Sequence, residues 1–290
     1  MSRRIGIAPS AATRAVARGL LVGGTPIVAM TLAIAAHDYI DAVILSKLAP
    51  DRVIGWYGAA RNISGTLIAP ATILASAAFP RLSRAAKDAG LLKIEIHAAL
   101  RPVLLLGGLA GVGTYLFAEA AVGIVYGGKF APAGSILKVF APGLFLLFVD
   151  VLFGAAVVAA GRSAALALAK VANVALSAGL SLLLVPYCER RYGNGGMGSV
   201  LSFVFSELVM FVSAVLILPR GALDARVFMH VGRAVVMAAA TLGLVVAMPT
   251  GTPFVDLGVA VVVFTALAFA LRLVGRSDVE QLLRLVRRRA

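Results

Sequence analysis

The chain has 290 residues, of which 61% are hydrophobic and only 14% are charged. Soluble domains carry about 25% charged residues, so this composition excludes an ordinary water-soluble enzyme and favours a protein whose solvent is lipid. The formal net charge is +14. That excess would suit nucleic-acid binding, but membrane proteins also gather Lys and Arg in their cytoplasmic loops, so the placement of the charges decides between the two.

Apolar runs of about 20 residues are long enough to cross the hydrocarbon core as helices. The first run is long for a single crossing, and Pro26 inside it predicts a kink. We predict an all-α polytopic membrane protein with about eight transmembrane helices. The predicted spans are 17–48, 53–78, 99–119, 134–159, 164–186, 196–218, 228–248 and 254–274.

The Lys and Arg residues divide unevenly between the two sides of the predicted membrane. With a cytoplasmic N-terminus, twenty fall on the inner side and six on the outer side, while Arg61 lies within a span. The positive-inside rule therefore predicts that both termini are cytoplasmic. The net charge is explained by topology, and we predict no nucleic-acid partner. The six outer residues are Lys47, Arg52, Lys129, Lys138, Arg190 and Arg191.

Few segments lie outside the spans. The inner stretch 80–98 is predicted to hold an amphipathic surface helix, and the outer stretch 120–133 is predicted to be a connector. The tail 279–289 alternates Leu and Arg and is predicted to lie on anionic lipid. Within the third span, the spacing Gly107-x3-Gly111 predicts close helix packing.

Catalytic motifs are absent from the sequence, which contains no HExxH, GxSxG or CxxC. Residues 123–130 match the phosphate-loop spacing, but Phe130 stands where Ser or Thr should hold magnesium. The three histidines, His37, His97 and His230, are too scattered to predict a metal site. We therefore predict no enzyme activity, no cofactor and no metal.

Ionisable residues inside the spans are the most informative feature. A charge at the bilayer centre costs about 2.5–3.5 kcal/mol, so such residues face a cavity or a partner. One interpretation is a polar pathway for an ionic substrate, a proton or sodium; the other is an Asp41–Arg61 pair that only holds two helices together. The candidate pathway residues are His37, Asp38 and Asp41 in the first span, Arg61 and Asn62 in the second, Asp150 in the fourth and Glu207 in the sixth.

Several segments resemble one family when taken in order. Residues 39–45 (YIDAVIL), 54–62 (IGWYGAARN), 68–70 (IAP) and 78–84 (AFPRLSR) resemble the seventh and eighth helices of polysaccharide flippases. These are the O-antigen and exopolysaccharide exporters of the multidrug/oligosaccharidyl-lipid/polysaccharide exporter superfamily. Two further elements are similar to the family's outer-loop "YG..F" element and its "IP.yG..GAA…sE" connection. They are VYGGKF at 125–130, and VP at 185–186 followed by YGNGGMG at 192–198 and SE at 206–207.

The resemblance implies a helical fold in which two lobes enclose a central cavity and alternate between inward and outward access. The implied substrate is an undecaprenyl-pyrophosphate-linked oligosaccharide, which moves across the cytoplasmic (inner) membrane for O-antigen, lipopolysaccharide or exopolysaccharide synthesis. By the same resemblance Asp41 and Arg61 lie on cavity-facing helices. A cation there would meet the pyrophosphate, and carboxylates would meet sugar hydroxyls or a coupling ion.

The resemblance covers only the second of the family's two lobes and a final helix pair. It implies that residues 1–218 form a six-helix bundle and that 219–290 add two transmembrane helices with a basic cytoplasmic tail. The added helices carry only Arg233 and Asp256 near their ends, so we expect them at the periphery, facing lipid. We expect a truncated or partial transporter, which a missing N-terminal lobe, a second chain or a further copy would complete.

Two other function classes remain open. One is a cation-coupled multidrug antiporter of the same superfamily, in which the carboxylates would carry protons or sodium. The other is a membrane polysaccharide polymerase or ligase, which is expected to carry a large outer loop with catalytic Arg or His. The longest predicted outer loop has only about 15 residues, shorter than the roughly 20 of a single span, and this counts against the enzyme.

Overall fold

The structure is a computed structural model of the chain, and it describes residues 11–271 and residue 273. Within this part every regular element is helical, and nine α-helices are joined by short connections. They are α1 (Ala11–Leu48), α2 (Asp51–Thr66), α3 (Ala69–Ala85), α4 (Ala89–Tyr126), α5 (Pro132–Ala159), α6 (Ser163–Tyr192), α7 (Gly196–Ile217), α8 (Ala225–Ala247) and α9 (Pro253–Ala270).

Eight helical segments are long and apolar enough to cross a membrane, because α2 and α3 together make one of them. The predicted all-α polytopic fold is therefore confirmed. Two helices exceed what a crossing requires: α1 and α4 have 38 residues each. At 1.5 Å per residue each is about 57 Å long, against a hydrocarbon core of about 30 Å, so both extend beyond it. α1 is continuous through Pro26, where the sequence predicts a kink.

The second predicted span, 53–78, consists of two helices rather than one. After α2 ends, the backbone N–H groups of Leu67 and Ile68 donate to carbonyls three residues earlier instead of four. Pro70 then lies in the first turn of α3, and proline has no N–H with which to continue the α-helical pattern. The apolar run is continuous across this point, so hydropathy alone does not reveal the break.

The surface helix predicted within 80–98 is wrong as a separate element. Residues 80–85 form the end of α3. Asp88 then caps the start of α4, about ten residues before the predicted span 99–119. The Oδ1 atom of Asp88 accepts hydrogen bonds from the backbone N–H groups of Gly90 at 2.7 Å and Leu91 at 3.2 Å. An aspartate in this position satisfies N–H groups that have no partner in the first helical turn, which sets the start of the helix.

The predicted connector 120–133 is also mostly helical. α4 continues to Tyr126, and Gly127 ends it with a φ of 78°, a conformation that glycine adopts without steric cost. One 3-10 turn, Gly128–Phe130, then leads into α5. The tail 279–289, predicted to lie on lipid, falls outside the described residues.

α5 lies at the centre of the bundle, packed against α2, α3, α4 and α7, while α1 packs on α6 and α6 on α7. Glycines allow α4 to approach α5 closely. A Cβ at Gly107 would lie 2.9 Å from the Cβ of Phe148, and one at Gly111 would lie 3.0 Å from the carbonyl oxygen of Ala141. The predicted role of the Gly107-x3-Gly111 spacing in close packing is therefore confirmed.

α8 and α9 pack on α4 and on each other. Large apolar side chains such as Val236, Phe254 and Val262 are exposed on them, as expected for helices that face lipid. This peripheral position agrees with the expectation for the last two spans. The division of the chain into a six-helix bundle at 1–218 and an added helix pair at 219–290 stays a prediction.

Candidate functional site

A cavity of about 1040 Å³ opens between the helices of the bundle. Its walls come from α1, α2, α3, α5, α6 and α7. Specific ligand pockets range from about 300 to 1,000 Å³, so this space is large enough for a sizeable polar headgroup. Five of the seven residues predicted from the sequence line it: His37, Arg61, Asn62, Asp150 and Glu207.

Asp41 lies behind the cavity wall, fully buried between α1 and α6. Its Oδ1 accepts hydrogen bonds from the hydroxyls of Ser177 at 3.4 Å and Ser181 at 3.3 Å. His37, one turn earlier on α1, places its Nε2 4.0 Å from Oδ2 of Asp41. The carboxylate is therefore held within a polar layer that joins two helices. The side chain of Asp38 lies outside the described part of the structure.

α2 contributes the cavity's arginine. Nη1 of Arg61 donates a hydrogen bond to the hydroxyl of Tyr57, one turn earlier on the same helix, at 2.8 Å. Tyr57 is buried, and Arg61 is half-buried. Asn62, the next residue, donates to the hydroxyl of Tyr126 at 3.4 Å. The phenol hydroxyl thus holds the guanidinium in the cavity wall.

α5, α6 and α7 contribute a second group of charges. Nζ of Lys170 lies 3.0 Å from Oδ2 of Asp150, and both side chains are largely buried. Glu207 of α7 is also buried and lines the same cavity. Oδ1 of Asp150, Oδ1 of Asn173 and Oε2 of Glu207 have no hydrogen-bond partner among the described residues. Buried acceptor oxygens are usually satisfied, so these three indicate a place for donors from a ligand or water.

Lys170 and Asn173 are cavity residues that the sequence prediction omits; Lys170 falls within the predicted span 164–186 but counts among the twenty cations of the inner side. Lys170 lies within α6 and faces the cavity. The signal was present: Lys170, Asn173, Ser177 and Ser181 recur every three or four residues through an otherwise apolar helix, which places them on one face. This polar face of α6 meets both Asp150 and Asp41.

The arrangement can bind a ligand with mixed chemistry. Arg61 offers a cation for an anionic group, while the acceptor oxygens of Asp150, Asn173 and Glu207 suit hydroxyls or a cation. Among the described residues there is no cluster of three or more His, Cys, Asp or Glu that could hold a metal ion.

Comparison with known proteins gives one sequence match and several similar folds. Residues 6–135 match a family described as "Polysaccharide biosynthesis protein". No curated protein matches the chain in sequence. The fold is similar to that of "Lipid II flippase MurJ, inward closed conformation", with a TM-score of 0.67 and 12% identity. That alignment covers 90% of this chain and 56% of the flippase, so the chain spans little more than half of its length.

Two multidrug/oligosaccharidyl-lipid/polysaccharide (MOP) superfamily transporters are also similar in fold. A multidrug resistance MATE family transporter in its outward-facing conformation has a TM-score of 0.53 and 17% identity, over 90% of this chain and 65% of that one. A transporter from Pyrococcus furiosus has a TM-score of 0.52 and 16% identity, over 89% and 65%. The resemblance predicted from the motifs is thus confirmed at the level of a matched polysaccharide biosynthesis family over residues 6–135 and of a fold shared with a lipid II flippase.

Proposed function

We propose that this chain is the cavity-bearing part of a flippase that moves lipid-linked oligosaccharide across the cytoplasmic (inner) membrane. In this proposal both termini are cytoplasmic, and the substrate is an undecaprenyl-pyrophosphate-linked repeat unit for O-antigen or exopolysaccharide synthesis. The observation that carries the proposal is Arg61, a cation in the wall of a large cavity formed by membrane-spanning helices.

The chemistry of the cavity supports a charged glycolipid. A guanidinium forms strong, charge-assisted hydrogen bonds with phosphate oxygens, and Arg61 is already oriented by Tyr57. The unpartnered oxygens of Asp150, Asn173 and Glu207 would accept hydrogen bonds from sugar hydroxyls. The apolar lipid chain would stay in the surrounding hydrocarbon, so only the headgroup needs to enter the cavity.

The proposal extends to how the chain is organised. Residues 1–218 would form the six-helix bundle that holds the cavity, and 219–290 would form the additional pair with its basic tail. A second bundle, from a missing N-terminal lobe, another chain or a further copy of this one, would face the cavity as the second lobe does in the family that the chain resembles. Transport by a complete assembly is therefore part of the proposal.

A cation-coupled multidrug antiporter is the second candidate. Its specific support is the pair of buried carboxylates, Asp150 and Glu207, each with one unpartnered oxygen in the cavity wall. Such groups could carry protons or sodium in exchange for a cationic drug. The two candidates differ in the charge of the ligand, because the flippase substrate is an anion and the drug is a cation.

Translocation in vesicles tests the proposal. The full chain, together with the second bundle that completes it, is reconstituted with undecaprenyl-pyrophosphate-linked oligosaccharide, and an added glycosidase, which cannot cross the membrane, reports glycan that reaches the outer leaflet. We expect wild-type protein to translocate the glycan and Arg61→Gln to slow the process about tenfold, the loss of one charge-assisted contact. Arg84→Gln, which removes an exposed cation at the end of α3, should match the wild type. Equal rates for wild type and Arg61→Gln would contradict the proposal.

A further inference from the structure

A second cavity, of about 420 Å³, lies between the first half of α4 and the start of α8. Three of its residues on α4 are four positions apart and therefore share one helical face. Ile94 also lies on α4, and the others belong to the first two turns of α8 and to the residue that caps it. The polar side chains that line it are Lys93, His97, Arg101, Asp224, Arg226 and His230.

The single acid of this cavity is engaged by the protein through its Oδ1. Oδ1 of Asp224 lies 2.9 Å from Nε2 of His97 and accepts hydrogen bonds from the backbone N–H groups of Arg226 at 3.0 Å and Val227 at 3.3 Å. Asp224 therefore caps α8 and orients His97. Lys93 and the side chain of Arg226 form no ion pair with any described residue. The cavity thus holds two cations that no described carboxylate pairs with.

His230 provides a second, independent observation. It is only 8% exposed and lines the cavity, and its Nδ1 has no hydrogen-bond partner within residues 11–271 and 273. The His97 ring packs edge-on against it, with 5.9 Å between the ring centroids. A buried polar nitrogen without a partner costs free energy, so its place in a cavity wall indicates a ligand that supplies the missing hydrogen bond.

The depth of the cavity indicates where that ligand comes from. The membrane-spanning segment of α8 begins at Ala225, so the cavity lies beside the end of a span. Lipid phosphates lie at this depth, just outside the hydrocarbon core. Ile94, in the cavity wall, is 60% exposed and offers apolar surface to an acyl chain.

We propose that this cavity binds a phosphate group, supplied by the headgroup of an anionic phospholipid. Lys93 and Arg226 would donate to the phosphate oxygens, and His230 would add a third donor in the tautomer that carries a proton on Nδ1. Basic pockets between membrane-spanning helices are a known form of headgroup recognition. A soluble phosphate compound would meet the same donors, so the experiment separates the two sources. The inference does not depend on the function of the central cavity.

The test uses the full chain in nanodiscs of phosphatidylcholine with and without phosphatidylglycerol. Native mass spectrometry counts the phospholipids retained by each chain, and a titration gives the affinity. The test variant is Lys93→Gln with Arg226→Gln, and the control is Arg84→Gln with Lys87→Gln, two exposed cations at the junction of α3 and α4. Inorganic phosphate is added in a separate series as a competitor.

We expect wild type and control to retain one phosphatidylglycerol, and the test variant to bind it at least about tenfold more weakly because two charge-assisted contacts are lost. His230→Phe should also weaken retention while keeping the ring that packs on His97. Competition by inorganic phosphate would support the phosphate site and assign it to soluble compounds, whereas its failure would support the lipid. Equal retention by wild type, test variant and control would overturn the proposal.

Discussion

Lys170 on α6 and Asp150 on α5 form an ion pair, with 3.0 Å between Nζ and Oδ2, in the wall of the central cavity. Both residues lie in helices that are otherwise apolar enough to cross a membrane. Opposite charges at this depth need a partner, and here each supplies it to the other. The pair joins α5 to α6 and leaves Oδ1 of Asp150 to the cavity.

The first prediction concerns the stability of this pair. Lys170→Met leaves Asp150 buried without its cation, and removing one partner of a buried pair is strongly destabilising. Because the pair lines a cavity and the Lys170 side chain is 19% exposed, we expect a loss of about 1–2 kcal/mol rather than the full value for a dry interior. Thermal unfolding of the detergent-solubilised chain measures it.

The double variant Lys170→Met, Asp150→Asn is the matched control. It removes both charges, so no unpaired ion remains, and we expect it to recover most of the stability lost in Lys170→Met. If the stability lost by the double variant relative to wild type equals the sum of the losses in Lys170→Met and Asp150→Asn, the two residues do not act as a pair.

The second prediction concerns the serines beside Asp41. Ser177 and Ser181 are fully buried and donate to its Oδ1. Replacing both with Ala removes two donors to a buried carboxylate, which costs about 1–3 kcal/mol. Ser213→Ala, whose exposed hydroxyl bonds within its own helix, is the control and should change stability little. Equal melting temperatures for the two variants would show that the serines do not stabilise Asp41.

The third prediction concerns the packing of α6 against α7. A Cβ at Gly198 would overlap the backbone carbonyl of Leu184, and backbone cannot rotate away as a side chain can. We expect Gly198→Ala to destabilise the protein by about 1–3 kcal/mol, the usual cost of overpacking. Gly232→Ala, where a Cβ meets nothing within 4 Å, should be neutral or slightly stabilising because alanine favours helix. Equal stability of the two variants would contradict the close contact.

The positions of the spans could be predicted because hydropathy alone determines them. The break between α2 and α3 could not, since it depends on local hydrogen bonds around Pro70 rather than on apolar content. The early start of α4 is signalled by Asp88, an ordinary N-cap residue, but hydropathy does not reveal it because Lys93, Glu95 and His97 interrupt the apolar run in the first turns.

Part of the candidate site could also be predicted from hydropathy. Single charges in apolar runs are easily found, so Arg61, Asp150 and Glu207 were identified from sequence, and all three line the cavity. Lys170 lies near the predicted start of its span, and position alone suggested a loop cation. The polar spacing of Lys170, Asn173, Ser177 and Ser181 places Lys170 on one face of α6, but its pairing with Asp150, which requires knowing that α5 and α6 are adjacent there, shows that this face meets the cavity.

The fourth prediction is a pH dependence at Asp224. Lost hydration acts to raise the pKa of this carboxyl, but the hydrogen bonds from His97, Val227 and Arg226 and the charge of His97 together hold the pKa below its ordinary value. A carboxyl whose pKa is lower in the folded state stabilises it above the ordinary pKa, and this contribution is lost as the pH falls through the folded pKa.

Asp224→Asn removes the negative charge but keeps the helix cap, because asparagine caps a helix as well as aspartate does. The variant therefore measures the effect of the charge alone. We expect the variant to melt below wild type near neutral pH and the difference to shrink as the pH falls below about 4. A difference that is constant with pH would show that the ionised carboxylate does not contribute.

The proposed function is tested most directly by whether the central cavity binds an anionic glycolipid in preference to a cationic dye. The full chain in detergent is titrated with undecaprenyl-pyrophosphate-linked oligosaccharide and, separately, with a cationic dye, for the wild type, Arg61→Gln and Arg84→Gln. We predict saturable binding of the glycolipid, about tenfold weaker for Arg61→Gln and unchanged for Arg84→Gln, with no comparable binding of the dye. Tight binding of the dye together with indifference of the glycolipid to Arg61→Gln would contradict the account.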